Sequence, residues 1–327
     1  MIEKPKMSSS ELGALWTTYQ KKSMILRIVE YFIEKSDDQR AKDLMSELWN
    51  QLHPLIIEMK ITLENEGAAV PDGFTEKDVN LEAPKLWENG FDIMFCRVLK
   101  EISMGMYVLH LTMSYRQDII KLYRDMTEVT ETFYGHFTQY LLEKNLYTRP
   151  TYVSMPTSTN YISDNDYSKG SNIFGNKRTL NTVEFGYLYR TIETNITGMQ
   201  LLNGFIQTTK DEDVKKYFIQ GKELSKEIIR ETSNILLENN IQPPATPGGT
   251  VTNSTIAPFS EKLMMYCNYL LSAFSLGGGG FSAGFSLRKD LQTKNVIFAK
   301  DIYQYQLNGV NLMMSKGWLE EPPKMEV

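Results

Sequence analysis

Cysteine and histidine are scarce in this chain: two of the first and three of the second in 327 residues. Two thiols cannot build a disulfide framework. Three imidazoles leave little material for metal centres or for base-assisted nucleophilic catalysis. Charge of one sign is also missing. With 35 Lys+Arg against 40 Asp+Glu the formal net charge is −5, and the absence of a basic face argues against a nucleic-acid partner. No window approaches the ~18 unbroken apolar residues that a membrane span needs. The N-terminal stretch from Met1 to Met7 runs into Ser8-Ser9-Ser10-Glu11 with no apolar segment, so no secretion signal is expected. Strand signals are lacking too, since no turn dipeptide stands between alternating β-branched runs. What remains reads as a soluble, cytoplasmic, all-α protein, long enough for about two domains.

Repetition sets the architecture. Displaced by 174 residues, Asp37, Lys42, Ile61, Leu63 and Asn65 meet Asp211, Lys216, Ile235, Leu237 and Asn239. Further on the best displacement becomes 172: Gly105 meets Gly277, and Ser114, Arg116 and Asp118 meet Ser286, Arg288 and Asp290. A duplicated unit with one small indel gives this pattern.

Each unit holds four long helical stretches. Ser8 with Glu11 three residues on is a capping box, followed by Leu12, Leu15, Tyr19, Leu26, Val29 and Ile33 at helical spacing. Ser36 with Gln39 suggests a second box, and Leu44, Leu48, Leu55 and Met59 continue the stripe. Pro71-Asp72-Gly73 punctuates a loop. Pro84 is expected to open the third helix, with Phe91, Ile93, Phe95, Val98, Leu99 and Ile102. The fourth carries Ile119, Leu122, Met126, Phe133, Phe137 and Leu141 and stops before Pro150. The second unit repeats this plan from Asn181 and Glu184. Long helices with antiparallel neighbours pack as four-helix bundles. The expected organisation is a bundle over 1–150, a polar linker over 151–178, and a second bundle over 179–327. Tyr152, Tyr161, Ile162 and Phe174 are expected to anchor the linker.

Several segments carry a resemblance. The loop from Pro71 to Asn80, Pro258-Phe259-Ser260-Glu261-Lys262-Leu263-Met264-Met265, Ser286-Leu287-Arg288-Lys289-Asp290-Leu291 and Gly317-Trp318-Leu319-Glu320-Glu321-Pro322-Pro323 resemble hallmarks of an uncharacterised, domain-of-unknown-function family of spore-forming bacilli. That resemblance implies two tandem ferritin-like bundles and a distant similarity to the spore coat protein F-like group. It covers nearly the whole chain and brings no catalytic or binding residues with it. Arg178-Thr179-Leu180-Asn181 departs from the family's Arg-Pro-Leu-Asn, which loosens a helix entry.

A ferritin-like bundle raises the question of a di-iron centre, which needs Glu-x-x-His pairs on two helices. The residues three before His53, His110 and His136 are Asn50, Tyr107 and Phe133, so no standard di-iron site exists and no cofactor is expected. A single Zn or Mn site from Glu30, His53, Glu101 and His136 is a weaker alternative. His53, nine residues from Leu44, lies on the opposite side of its helix. Cys96 and Cys267 sit in apolar surroundings and read as small core hydrophobes. Gly277-Gly278-Gly279-Gly280 costs a helix about 3–4 kcal/mol relative to alanine. It is read as a kink or tight crossing, or alternatively as the wall of a pocket for a small apolar ligand. The expected function is that of a non-catalytic structural or interaction protein with an unidentified protein partner, associated with the spore or with stress. A degenerate metal-binding protein and a small-ligand carrier are the alternatives.

Overall fold

The computed structural model describes residues 5–163, 165–169, 178–245 and 249–325. Among them run eight α-helices: α1 (Ser9–Lys35), α2 (Gln39–Asn65), α3 (Phe91–Thr112), α4 (Gln117–Glu143), α5 (Thr182–Thr208), α6 (Glu212–Glu238), α7 (Glu261–Phe285) and α8 (Lys289–Ser315). The hairpins α1/α2 and α3/α4 form one bundle, and α5/α6 and α7/α8 form the other. The fold is therefore all-α, two tandem four-helix bundles.

The helix starts follow local chemistry. Ser8 and Glu11 cap α1 reciprocally, and Asn181 and Glu184 do the same for α5. The second box expected at Ser36 does not form. Ser36 still donates its N–H to Phe32 at the end of α1, and Asp38 caps α2 through Ala41 N. Pro84 does not open α3, which begins at Phe91 after Gly90, a residue in the left-handed region at φ 72°. The segment before Gly90 runs extended instead, because it pairs with the second unit. Val79 bridges Phe259 and Trp87 bridges Val251, both antiparallel.

Duplication is visible in three dimensions with a corrected register. The bounds of α1 and α2 match those of α5 and α6 at a displacement of 173, while α4 matches α8 at 172. The displacement of 174 aligns chance identities. It pairs buried Leu63 with Leu237, which is 57% exposed, whereas 173 pairs it with fully buried Leu236. At the corrected register the caps coincide. Glu11 accepts from the amides of Tyr115 and Arg116, and Glu184 accepts from those of Leu287 and Arg288. Arg116 and Arg288, both buried, pair with Asp118 and Asp290. Burial alone would raise the Glu11 carboxyl, but the amide and hydroxyl donors around it outweigh that effect and hold it below its ordinary value.

One apolar core runs through both bundles, from Met24, Phe32 and Phe95 to Phe205, Phe218 and Met264. Helix α1 packs against α2, α3 and, across the bundle boundary, α7. It is consequently buried on all sides, including the consecutive residues Gln20, Lys21, Lys22 and Ser23. The linker expectation is corrected. Tyr152, Tyr161 and Ile162 are largely exposed, and Phe174 lies outside the described residues. The segment is tied down at Arg178, which stacks over the Tyr167 ring at 4.0 Å and donates to its carbonyl oxygen.

Candidate functional site

The sequence-derived metal candidates do not converge. Glu30 accepts from Arg27 and from Trp49 Nε1, and His53 stacks on the same Trp49 at 4.5 Å. Those two are neighbours. Glu101 lies elsewhere, paired with Arg190 of the second bundle at 2.5 Å, and His136 is exposed on α4 against Phe133. Among the described residues no group of three or more His, Cys, Asp or Glu side chains is placed to hold a metal ion.

Helix α7 is continuous through the glycine segment, from Glu261 to Phe285. The four glycines are not sites of a tight crossing. A methyl group at Gly277, Gly279 or Gly280 would meet nothing within 4 Å, and at Gly278 it would meet only Arg190 Nη1. Gly278 and Gly279 instead line a cavity of about 50 Å³ together with Arg190, Asn195, Ser275 and Asn295. At a displacement of 172 Gly279 matches Tyr107, which is fully buried in the first bundle. A volume of this size has room for a few water molecules, and its walls are as much polar as apolar in residue type.

A larger cleft lies between the bundles. It measures about 240 Å³ and is lined from both sides, by Arg97, Glu101, Tyr134 and Tyr147 of the first and by Tyr189, Arg190 and Glu193 of the second. Helix α3 sets Arg97 and Glu101 one turn apart on one face, and α5 sets Tyr189 and Glu193 likewise. Arg97 stacks over Tyr147 at 4.4 Å and over Tyr134 at 4.8 Å. It also donates to Thr138 Oγ1 and to the Tyr134 hydroxyl, so its guanidinium is fixed. Tyr147 donates to Glu193 Oε2 at 2.7 Å. Glu193 Oε1 is buried with no hydrogen-bond partner among the described residues. Burial pushes the Glu193 carboxyl up to about 7, against the opposing pull of Tyr147 and Arg97. The Tyr147 phenol is driven up by burial and by the carboxylate beside it, and so remains protonated.

Sequence reasoning did not single out this cleft. Glu193 sits in Thr191-Ile192-Glu193-Thr194, one acid beside one core residue, which is the pattern of any amphipathic helix edge. Its burial arises only when α5 packs against α3. The two thiols do behave as the sequence suggests, since both are fully buried and burial pushes both well above the ordinary thiol value.

None of the curated proteins is similar to the chain. A crystal structure from Bacillus halodurans C-125, described as a "putative spore coat protein", shares 20% identity. It covers 46% of this chain and 98% of its own, with a TM-score of 0.43. Family comparison is more decisive, because one family matches twice, over residues 1–158 and again over 168–327. The chain belongs to that family, described as protein of unknown function (DUF3231).

Proposed function

We propose that this protein is a non-catalytic binding protein whose cleft between the bundles holds a small polar molecule. The carrying observation is Glu193, a buried carboxyl at the wall of a cleft large enough for a ligand, whose Oε1 has no hydrogen-bond partner among the described residues. A buried acceptor left unmatched costs free energy, so a ligand that offers it an N–H or O–H is favoured. The fixed Arg97, the Arg190–Glu101 pair and three tyrosine rings supply polar and stacking surfaces around that acceptor. A site with few, oriented polar groups suits selective binding. Both thiols, held protonated by burial, are unsuited to nucleophilic chemistry, which supports the non-catalytic reading.

Spore association belongs to this reading through the family resemblance alone; a cytoplasmic location and a protein partner belong to it as expectations from the sequence. Native mass spectrometry of protein purified from its own host tests the binding claim. A co-purifying small molecule, lost on Glu193→Gln and on Tyr147→Phe with helicity unchanged, is the expected result. A ligand retained by both variants, or located away from the cleft, would overturn it. Fluorescent tagging in sporulating cells tests the location, and a diffuse signal throughout sporulation would remove the spore association.

A further inference from the structure

The middle of the first bundle is a layer of hydrogen-bond donors. Lys22 is the central residue of α1 and Thr130 that of α4, and Lys100 lies close to the centre of α3. Lys21, Lys22, Lys100, Tyr107 and Thr130 are each completely buried. They divide the bundle's apolar interior in two. One cluster holds Leu15, Met59, Leu122 and Met126, and the other holds Met24, Ile56, Ile102 and Phe133.

Among the described residues acceptors are nearly absent from this layer: Lys21 Nζ reaches only Met106 Sδ at 3.4 Å, and Lys22 Nζ only Ser103 Oγ at 3.5 Å. Both amine nitrogens stand over the Tyr107 ring, at 4.4 and 4.8 Å. Lys100 Nζ, the Tyr107 hydroxyl and Thr130 Oγ1 have no hydrogen-bond partner at all among the described residues. Of the other titratable groups on this face, His110 shares a hydrogen bond with Thr18 and is kept neutral by burial and by Lys21, the Tyr123 hydroxyl also bonds Thr18, and the Cys96 thiol near Lys100 is pushed up by burial. No carboxylate forms an ion pair with any of the three lysines among the described residues. Three buried amines without an acid among the described residues are costly as cations, and burial pushes each of them down, Lys21 to about 7, Lys100 to about 8 and Lys22 well below its ordinary value.

We propose that this layer is a buried anion site, in which Lys21, Lys22 and Lys100, with the Tyr107 hydroxyl, hold one monovalent inorganic anion of halide size. An anion is an acceptor without donors, which is what a set of unmatched donors lacks. Single charge and small size belong to the proposal because the surroundings are tight: Lys21, Lys22, Lys100, Ser103, Tyr107 and Thr130 are wholly buried and Met106 is half-buried. The second bundle provides an internal control. At the corrected register Lys21, Lys22, Lys100 and Tyr107 are matched by Thr194, Asn195, Ser272 and Gly279, which are neutral, so the site belongs to the first bundle alone.

Bromide is the probe, because it replaces chloride and scatters anomalously. Crystals of the full chain grown in bromide are expected to show one anomalous peak touching the three Nζ atoms. In solution, raising chloride at constant ionic strength against gluconate is expected to raise the melting temperature. Lys100→Met should weaken the apparent chloride affinity by at least tenfold, and Thr194→Ala in the second bundle should leave it unchanged. The slope against chloride is the readout, so a variant that merely alters overall stability does not mimic the effect. No bromide peak in the layer, or an equal chloride dependence in Lys100→Met, overturns the proposal. A carbamate signal from labelled bicarbonate on one of the lysines would also overturn it, by showing that the missing acceptor is covalent.

Discussion

Glu193 couples the cleft to pH. Its carboxyl is raised by burial to about 7 from 4.5, so between those values the folded chain keeps a proton that the unfolded chain has released. Stability contributed by the protonated group is therefore present at low pH and is lost as pH rises through 7. The full difference is worth about 3 kcal/mol at 1.36 kcal/mol per unit. Glu193→Gln removes this titration while keeping the oxygen that accepts from Tyr147. Urea unfolding should find the variant gaining about 2–3 kcal/mol on the natural protein between pH 4 and pH 8. Identical pH profiles for the two proteins would show that the carboxyl is not buried as described. Other residues at this scale were legible in part. The stripe read along α1 jumps from Tyr19 to Leu26, and that gap is where Gln20, Lys21, Lys22 and Ser23 lie. Polar residues across a full turn read as a solvated face in sequence; packing on both sides of α1 buries them, with α7 covering Gln20 through Tyr266 and α3 covering Lys21 and Lys22.

Helices were the most legible elements, because caps and apolar spacing are local. Ser8–Glu11 and Asn181–Glu184 were readable as reciprocal pairs and form as such. Failures came where a long-range partner decides. Pro84 has the residue type of a helix start, yet its carbonyl accepts from the buried Tyr31 hydroxyl within an extended strap. Glycines show the same contrast. Gly277, Gly279 and Gly280 have open space where a side chain would stand, so alanine there should add helix propensity at no steric cost. Each substitution is expected to stabilise by about 0.5–1 kcal/mol in denaturant melts. Gly221 and Gly309 are the opposite case. A methyl at Gly221 would collide with the Tyr305 ring and hydroxyl, and one at Gly309 with those of Tyr217. These two rings stack at 4.3 Å, and Asn268 donates to both hydroxyls. Gly221→Ala and Gly309→Ala should therefore each lose about 1–3 kcal/mol. An unchanged melt in either would mean that the stacked pair can slide, contrary to its hydrogen bonds.

At the scale of the molecule, the two bundles are joined by their connecting loops. The segment before α3 and the segment before α7 lie antiparallel, with Asn80 N donating to Pro258 O, Ser260 N to Asp78 O, and Glu88 N to Thr250 O. Glu320, near the C-terminus, accepts from the amides of Asp72 and Gly73, and Lys262 donates to Gly73 O. Three of the four motifs that carried the family resemblance thus meet at one boundary, while the fourth, Ser286–Leu291, meets Glu184 of α5; a loop such as Pro71-Asp72-Gly73 has a structural part to play there. Trp87 closes this boundary. Its indole stacks on Phe91 at 5.2 Å, meets Phe205 of α5 edge-on at 6.0 Å, and donates to Gln200 O. Gly204 has no Cβ, and one would strike the indole. Because the apolar core is continuous across this contact, neither bundle can open without exposing the other's interior. Unfolding should then be one transition, with far-UV circular dichroism and tryptophan fluorescence changing together. Trp87→Ala should cost about 3–5 kcal/mol and leave the transition single, since the loops still cross. Two separated transitions in the natural protein would show that the bundles are energetically independent, and the cleft at Glu193 would then have no rigid second wall.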